Sequence, residues 1–246
     1  NKMYKITSLP TRKDKIDQPS SSEEGIIPKL TSNVLLCGAS GSGKSTLLVN
    51  LMTRKEFFHG WFHRVIMISP TARTDDIASH LQLEDDDIFD ELDEVPSMLA
   101  DLMEEQRDEI EEKGADGADQ VCLIFDDCIS HRNLLKSKEF VTCFIASRHY
   151  NFTTLICTQS YTKVPRVCRL QAQHLFYFRG GRSELELLAE EYGAPGLSKK
   201  QMRALVDFAT EGKFSFLHVN RRLGFDSRYR RNLDQIIEVN DFPEFK

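Results

Sequence analysis

The sequence predicts an α/β fold: a largely parallel sheet with helices on both faces. Three observations carry it. Short runs such as "NVLLC", "VIMIS", "VCLIF", "TTLIC" and "HLFYF" are apolar or uncharged throughout rather than alternating, as strands covered on both faces must be. Longer stretches with helical spacing of apolar residues lie between them, and that alternation of strand and helix calls for a parallel sheet. Lastly, a loop of glycines and serines leaves the first run and opens directly into an apolar helical stretch. At 246 residues and 40% hydrophobic content, the chain can build the core such a sheet needs.

The elements follow in order. Residues 1–30, with "TRKDK" and "QPSSSEEG", read as an N-terminal polar arm or linker with little core of its own. The core is expected over 31–220. It starts with the strand "NVLLC" and the helix "KSTLLVNLM", followed by a second strand over Arg64–Ser69. A helical, acid-rich insertion spans about 81–120, where Leu92, Val95, Leu99, Leu102 and Met103 recur at helical spacing. "QVCLIFDDC" is a third strand, "SKEFVTCFIASRHYN" a helix, "TTLICTQS" a fourth strand and "HLFYFR" a fifth. Helices near Ser183–Tyr192 and Ser198–Ala209 and a sixth strand, "KFSFLHVN", complete the core. Residues 221–246 read as a C-terminal basic segment and tail.

Charge is distributed unevenly. Between Leu81 and Gln120 lie 17 acidic and 2 basic residues, a local net of −15; the chain's net is −6, so the remainder carries −6 + 15 = +9. Between Lys199 and Arg231 nine basic residues face three acids, a net of +6. That cluster fits a sequence-independent contact with a polyphosphate backbone, a solvated face, or a subunit interface meeting the acidic segment. No apolar run approaches the roughly 18–20 residues of a membrane span. The six cysteines show no C-x-x-C pair and read as free, buried thiols of a reducing compartment.

The chemistry starts at Gly38-Ala39-Ser40-Gly41-Ser42-Gly43-Lys44-Ser45-Thr46, which fits G-x-x-x-x-G-K-[ST], the phosphate loop of P-loop NTPases. Its glycines let backbone N–H groups turn toward phosphate oxygens, and the helix that follows adds the field of its N-terminus. Lys44 is expected to reach the β- and γ-phosphates of ATP and Ser45 to coordinate Mg²⁺. Asp126 ends a buried strand and is the expected Mg²⁺ acid; Asp127, beside it, is placed to activate water. Gln159 ends the next strand, and a strand inserted between the loop strand and the "FDD" strand would set it near the γ-phosphate. Arg148, in "SRHYN", is the first choice for a cation acting on a neighbouring subunit's nucleotide, with Arg179 and Arg182 in reserve. The guanine-reading N-K-x-D of GTPases is absent from the sequence, and paired acids argue against a small-molecule kinase. A scaffold that holds nucleotide to stabilise an assembly is the first alternative, with a small-molecule kinase behind it.

In this order, "GASGSGKST", "VIMISPT", "LIFDD", "SRHYN…TTLICTQS" and "VPRVCRLQAQHLFYFR" resemble the genome-packaging ATPases of large double-stranded DNA viruses, the poxvirus-like branch of the FtsK–HerA superfamily. The resemblance covers Asn33 to Asn220. It implies a P-loop ATPase of the additional-strand (ASCE) type, a pentameric or hexameric homo-oligomeric ring, and ATP- and Mg²⁺-dependent movement of double-stranded DNA into a capsid. A capsid or portal protein would be a further partner. The setting would be the host cytoplasm or viral factory, with association to the virion. Lys44, Ser45, Asp126, Gln159 and Arg148 match functional positions of that family, and Asp127 stands where much of the superfamily has glutamate.

Overall fold

The computed structural model describes residues 16–194 and 197–242. The apolar runs form β1 (Asn33–Cys37), β2 (Arg64–Ile68), β4 (Val121–Asp126), β5 (Phe152–Thr158), β6 (His174–Phe178) and β7 (Phe216–Asn220). Three short strands join them: β3 (Ile88–Phe89), β8 (Tyr229–Arg231) and β9 (Gln235–Ile236). The nine lie in one sheet, ordered β3-β2-β4-β5-β1-β6-β7-β8-β9. β3 to β6 are mutually parallel, and β7, β8 and β9 extend that sheet antiparallel. Strand β5 does lie between β4 and β1, the inserted strand expected from the sequence.

The helices are α1 (Ser20–Glu23), α2 (Lys44–Thr53), α3 (Ile77–Leu81), α4 (Val95–Lys113), α5 (Arg132–Lys136), α6 (Lys138–Ile145), α7 (Arg166–Gln171), α8 (Arg182–Tyr192) and α9 (Lys199–Ala209). Successive strand residues point to opposite faces, and the two faces have separate cores. Leu35, Ile66, Leu123, Phe125 and Leu175 pack with the apolar stripes of α4, α6, α8 and α9. Val34, Leu36, Met67, Ile124 and Phe176 pack with α2 and α3. On the first face Phe125 meets Phe140 and Phe144 of α6 at centroid distances of 5.0 and 6.0 Å. Each such pair adds about 0.5–1.5 kcal/mol beyond area burial, and this cluster fixes the strand whose last residue is Asp126.

Five local expectations change. The antiparallel β7 follows from two helices rather than one between β6 and β7. A single crossover helix returns the chain to the amino edge of the sheet. Here α8 and α9 pack against each other, and the chain returns to start β7 at Phe216, opposite Phe178 at the end of β6. The helix expected across "SKEFVTCFIASRHYN" stops at Ile145; Ala146 leaves helical geometry (φ −116°, ψ 19°) and a 3₁₀ turn, Ser147–His149, follows. The polar stretch expected as an arm is part of the core in its second half, where Ile27 and Leu30 are buried; residues 1–15 lie outside the described ones. The sheet also continues past Asn220 through β8 and β9. The helix of the acidic insertion begins only at Val95: a 3₁₀ turn (Asp85–Asp87) and β3 precede it, so Leu92 lies before the helix, where it is buried beside the stripe of Val95, Leu99, Leu102 and Met103 that faces the core. All six cysteines are free and buried.

Candidate active site

The phosphate loop joins the carboxyl end of β1 to the first turn of α2. Gly41 and Gly43 adopt left-handed backbone conformations (φ +72° and +107°), which a residue with a Cβ resists. Gly38 is excluded from substitution by space: a Cβ there would sit 2.5 Å from Phe178 Cβ and 2.9 Å from Ser42 Oγ. Lys44 is buried at the base of the loop, and its ammonium donates to the Gly38 and Ala39 carbonyls at 2.7 and 3.2 Å. The loop is thus laced to its own lysine, which stands where phosphate oxygens would arrive.

A cavity of about 240 Å³ brings the expected residues together. Ser40, Gly41, Gly43, Lys44, Ser45 and Thr46 line one side, and Asp126, Asp127 and Gln159 the other. Gly38 and Ala39 lie behind Lys44, and Ser42 packs beside Gly38. Gln159 Nε2 donates to Asp127 Oδ2 at 2.8 Å, so the two neighbouring strand ends are tied across the site. Asp127 holds a left-handed conformation (φ +48°), uncommon for residues other than glycine and a form of strain that gathers at functional sites.

Asp126 is buried, and its pKa is pushed up to about 7. Burial is the main cause, the charges of Asp127 and Asp75 add to it, and Lys44 opposes. A carboxylate so placed gains from a cation, which fits the Mg²⁺ that P-loop ATPases use. Among the described residues no cluster of three His, Cys, Asp or Glu side chains could hold a metal. Mg²⁺ is commonly held by one carboxylate or two with substrate phosphates and water; here the protein ligands would be Asp126 and the Ser45 hydroxyl.

Arg148 does not join this cavity. It is exposed in the 3₁₀ turn before β5, at the amino edge of the sheet. Its own Gln159 is one strand length away, roughly 20 Å at about 3.3 Å per residue. Its charge lies close to Arg222, whose pKa is lowered by burial and then by Arg148. Arg179 and Arg182 follow β6 at the carboxyl edge, both exposed, with Arg182 3.9 Å from Glu186.

The site has a wall that the sequence did not announce. Phe214 lines the phosphate cavity and also a second one of about 370 Å³, which shares Gly43 and Thr46 and adds Arg54, Phe57, Phe178 and Asn232. Phe214 is 56% exposed and sits at φ +67°, a genuine outlier for a bulky side chain. The nearest signal was the aromatic spacing of "KFSF", which reads equally well as strand.

The basic cluster near the C-terminus is largely turned inward. Arg203 pairs with Glu186 at 2.7 Å and Lys199 with Glu190. Arg221 donates to the Leu170 and Ala172 carbonyls, Arg230 to those of Leu233 and Glu24, and Arg231 to that of Glu211. Among the described residues no helix is long and apolar enough to cross a membrane.

Known structures share this arrangement. The genome packaging NTPase B204 from Sulfolobus turreted icosahedral virus 2, solved in complex with AMP, aligns at TM-score 0.56 and 13% identity over 82% of this chain and 96% of its own. B204, the DNA-packaging ATPase from Sulfolobus turreted icosahedral virus, aligns at 0.55 and 16% over 78% and 94%. ATPases 2 and 3 of EssC from Geobacillus thermodenitrificans align at 0.54 and 12% over 88% of this chain and 41% of that one. At these identities the likeness is one of fold, that of P-loop ATPases. No curated protein matches the chain. The family model described as Poxvirus A32 protein matches residues 27–215, most of the sequence and every residue lining the phosphate cavity, and the chain belongs to that family.

Proposed function

We propose that this protein is a viral genome-packaging ATPase that hydrolyses ATP with Mg²⁺ to move double-stranded DNA, independent of its sequence, into a capsid. The observation that carries the reading is the cavity in which a phosphate loop faces Asp127 and Gln159, hydrogen-bonded to each other across adjacent strand ends. Membership of the Poxvirus A32 protein family supports the task.

In this reading Lys44 leaves the loop carbonyls for the β- and γ-phosphates, and the loop N–H groups cradle them. Bound Mg²⁺ neutralises phosphate charge; Ser45 and Asp126 would hold it. Asp127 accepts a proton from the attacking water, and Gln159 orients both Asp127 and that water. The aromatic cavity beside Gly43 takes the base, with Phe57 and Phe214 offering ring faces and Asn232 a hydrogen-bonding edge. Arg148, too far from its own cavity, acts on the nucleotide of a neighbour in a pentameric or hexameric ring. The acidic helix α4 is an exposed flank of the core, and a capsid or portal protein is a further partner. The work is done in the host cytoplasm or viral factory and at the virion.

Steady-state ATP hydrolysis with and without linear double-stranded DNA tests the reading. DNA should stimulate turnover in the wild type, and Lys44→Ala should abolish both the basal and stimulated rates. A robust rate indifferent to DNA would overturn the motor assignment.

A further inference from the structure

The molecule has a second concentration of positive charge, assembled by the fold rather than by the sequence. A groove of about 540 Å³ is lined by Ile129, Ser130, Arg132, Leu135, Lys136, Lys163 and Pro165. Arg132, Lys136 and Lys163 are exposed, and none of their side chains has a hydrogen bond or ion pair to another described residue. Between Cys128 and Cys168 the chain holds six lysines and arginines and one acid, Glu139. By contrast, the basic residues near the C-terminus mostly anchor the chain to itself.

The walls of the groove begin at the active site. One wall is the segment after Asp127, running through Cys128–Ser130 into α5; the other is the segment after Gln159, running through Tyr161–Lys163. Both are held firmly. Cys128 Sγ–H donates to the Ile68 carbonyl at 3.2 Å, and His131 accepts the Leu134 N–H while lying 3.3 Å from Asp93. On the other side Tyr161 is fully buried and hydrogen-bonded to Glu191, which Arg169 grips at 2.9 and 3.0 Å. Three cations are therefore presented on ordered elements, two on α5 and Lys163 on a 3₁₀ turn, at the root of which lies the Asp127–Gln159 hydrogen bond.

We propose that this groove is the surface that grips the phosphate backbone of double-stranded DNA, and that the Asp127–Gln159 bond couples its two walls to nucleotide state. The inference rests on the motor reading above and names the place of contact. Unpaired, exposed cations facing an apolar floor suit a polyanion bound through its phosphates without reading of base sequence. Loss of the γ-phosphate, and of the water that Asp127 and Gln159 orient together, shifts the spacing of Lys163 from Arg132 and Lys136, so hydrolysis alters the grip.

The test is fluorescence anisotropy of linear double-stranded DNA of random sequence against salt concentration, using the full chain. It compares wild type, a groove variant (Arg132→Gln, Lys136→Gln, Lys163→Gln) and a C-terminal variant (Arg203→Gln, Lys213→Gln, Arg228→Gln). Binding of a fluorescent ATP analogue, measured in parallel, reports that each variant is folded. The groove variant should lose DNA affinity, and the slope of log K against log salt should fall by about 3 per engaged subunit. The C-terminal variant should keep the wild-type slope. The reverse pattern overturns the placement of DNA in the groove while leaving the motor reading intact. Wild-type protein that binds no DNA overturns both. A groove variant that keeps its DNA affinity but loses assembly assigns the groove to a neighbouring subunit's acidic surface and overturns the proposal.

Discussion

Asp126→Asn changes one buried carboxylate to an amide of the same shape, and the sign of its effect depends on pH. An ordinary aspartate releases its proton near 3.8, whereas Asp126 holds it to about 7 because burial and the charges of Asp127 and Asp75 penalise the ionised form. The folded pKa is therefore the raised one. Between these two values the folded chain binds more protons than the unfolded chain, so stability falls as pH rises from about 4 to 7. The gap corresponds to roughly 4 kcal/mol of stability absent above pH 7. An amide carries no such penalty. Without divalent metal at pH 8, Asp126→Asn should be more stable than wild type by up to that amount, a gain in Tm of roughly 10 °C for a chain of this size. At pH 4 the two should melt together.

The assay is thermal unfolding of both proteins in chelator across pH 4 to 8. Their difference removes the contribution of every other titrating group. With MgATP the order should reverse, because ligand binding stabilises only the protein that can hold the metal. A difference that is flat with pH, or a variant less stable at pH 8, would refute the electrostatic account of Asp126.

The remaining predictions concern the hydrolytic pair and the distant arginine. Asp127→Asn should bind ATP normally and lose turnover by roughly 10²–10⁴-fold, the usual contribution of a general base; single-turnover hydrolysis checks it. Asp127→Glu should also lose activity, because the longer arm displaces the Gln159 amide. The swap Asp127→Glu with Gln159→Asn keeps the combined length and should recover part of the loss, which a double-mutant cycle measures. Arg148→Ala should be inactive alone yet regain turnover when mixed with Asp127→Asn subunits that retain the arginine. No recovery in such mixtures would move the trans-acting cation to Arg179 or Arg182.

The fold and the phosphate site were legible because each is written in consecutive residues. A run such as "VCLIFDD" declares a strand buried on both faces and ends on its acids, and the loop declares its own backbone. Gln159 lies where an inserted strand delivers it, at the end of β5 beside Asp127 in the cavity. The edge of the sheet was not legible. Ile88–Phe89 is too short to stand out within an acidic stretch, and Tyr229–Arg231 looks like a basic tail until β7 is there to pair with it. Phe214 was hidden for a related reason. Its role depends on a left-handed backbone and on two cavities meeting at its ring, and neither leaves a pattern in the residues around it.

Charge is where counting along the chain and looking at the fold diverge most. Nine basic residues near the C-terminus make a conspicuous total, but a total takes no account of what each cation already holds. At the far edge of the sheet, arginines are useful as long arms that reach backbone carbonyls, and Arg221, Arg230 and Arg231 are used in that way. Arg132, Lys136 and Lys163 are spread over two segments separated by α6 and β5, so the sequence shows a basic stretch but not that these three lie side by side. The parallel sheet brings them together, since every parallel strand delivers the residues after it to the same carboxyl edge. The topology that places Asp127 beside Gln159 therefore also places the downstream cations side by side. A site for hydrolysis and a surface for a polyanion then share their supports, and that shared support is what a motor needs to turn one into a change in the other.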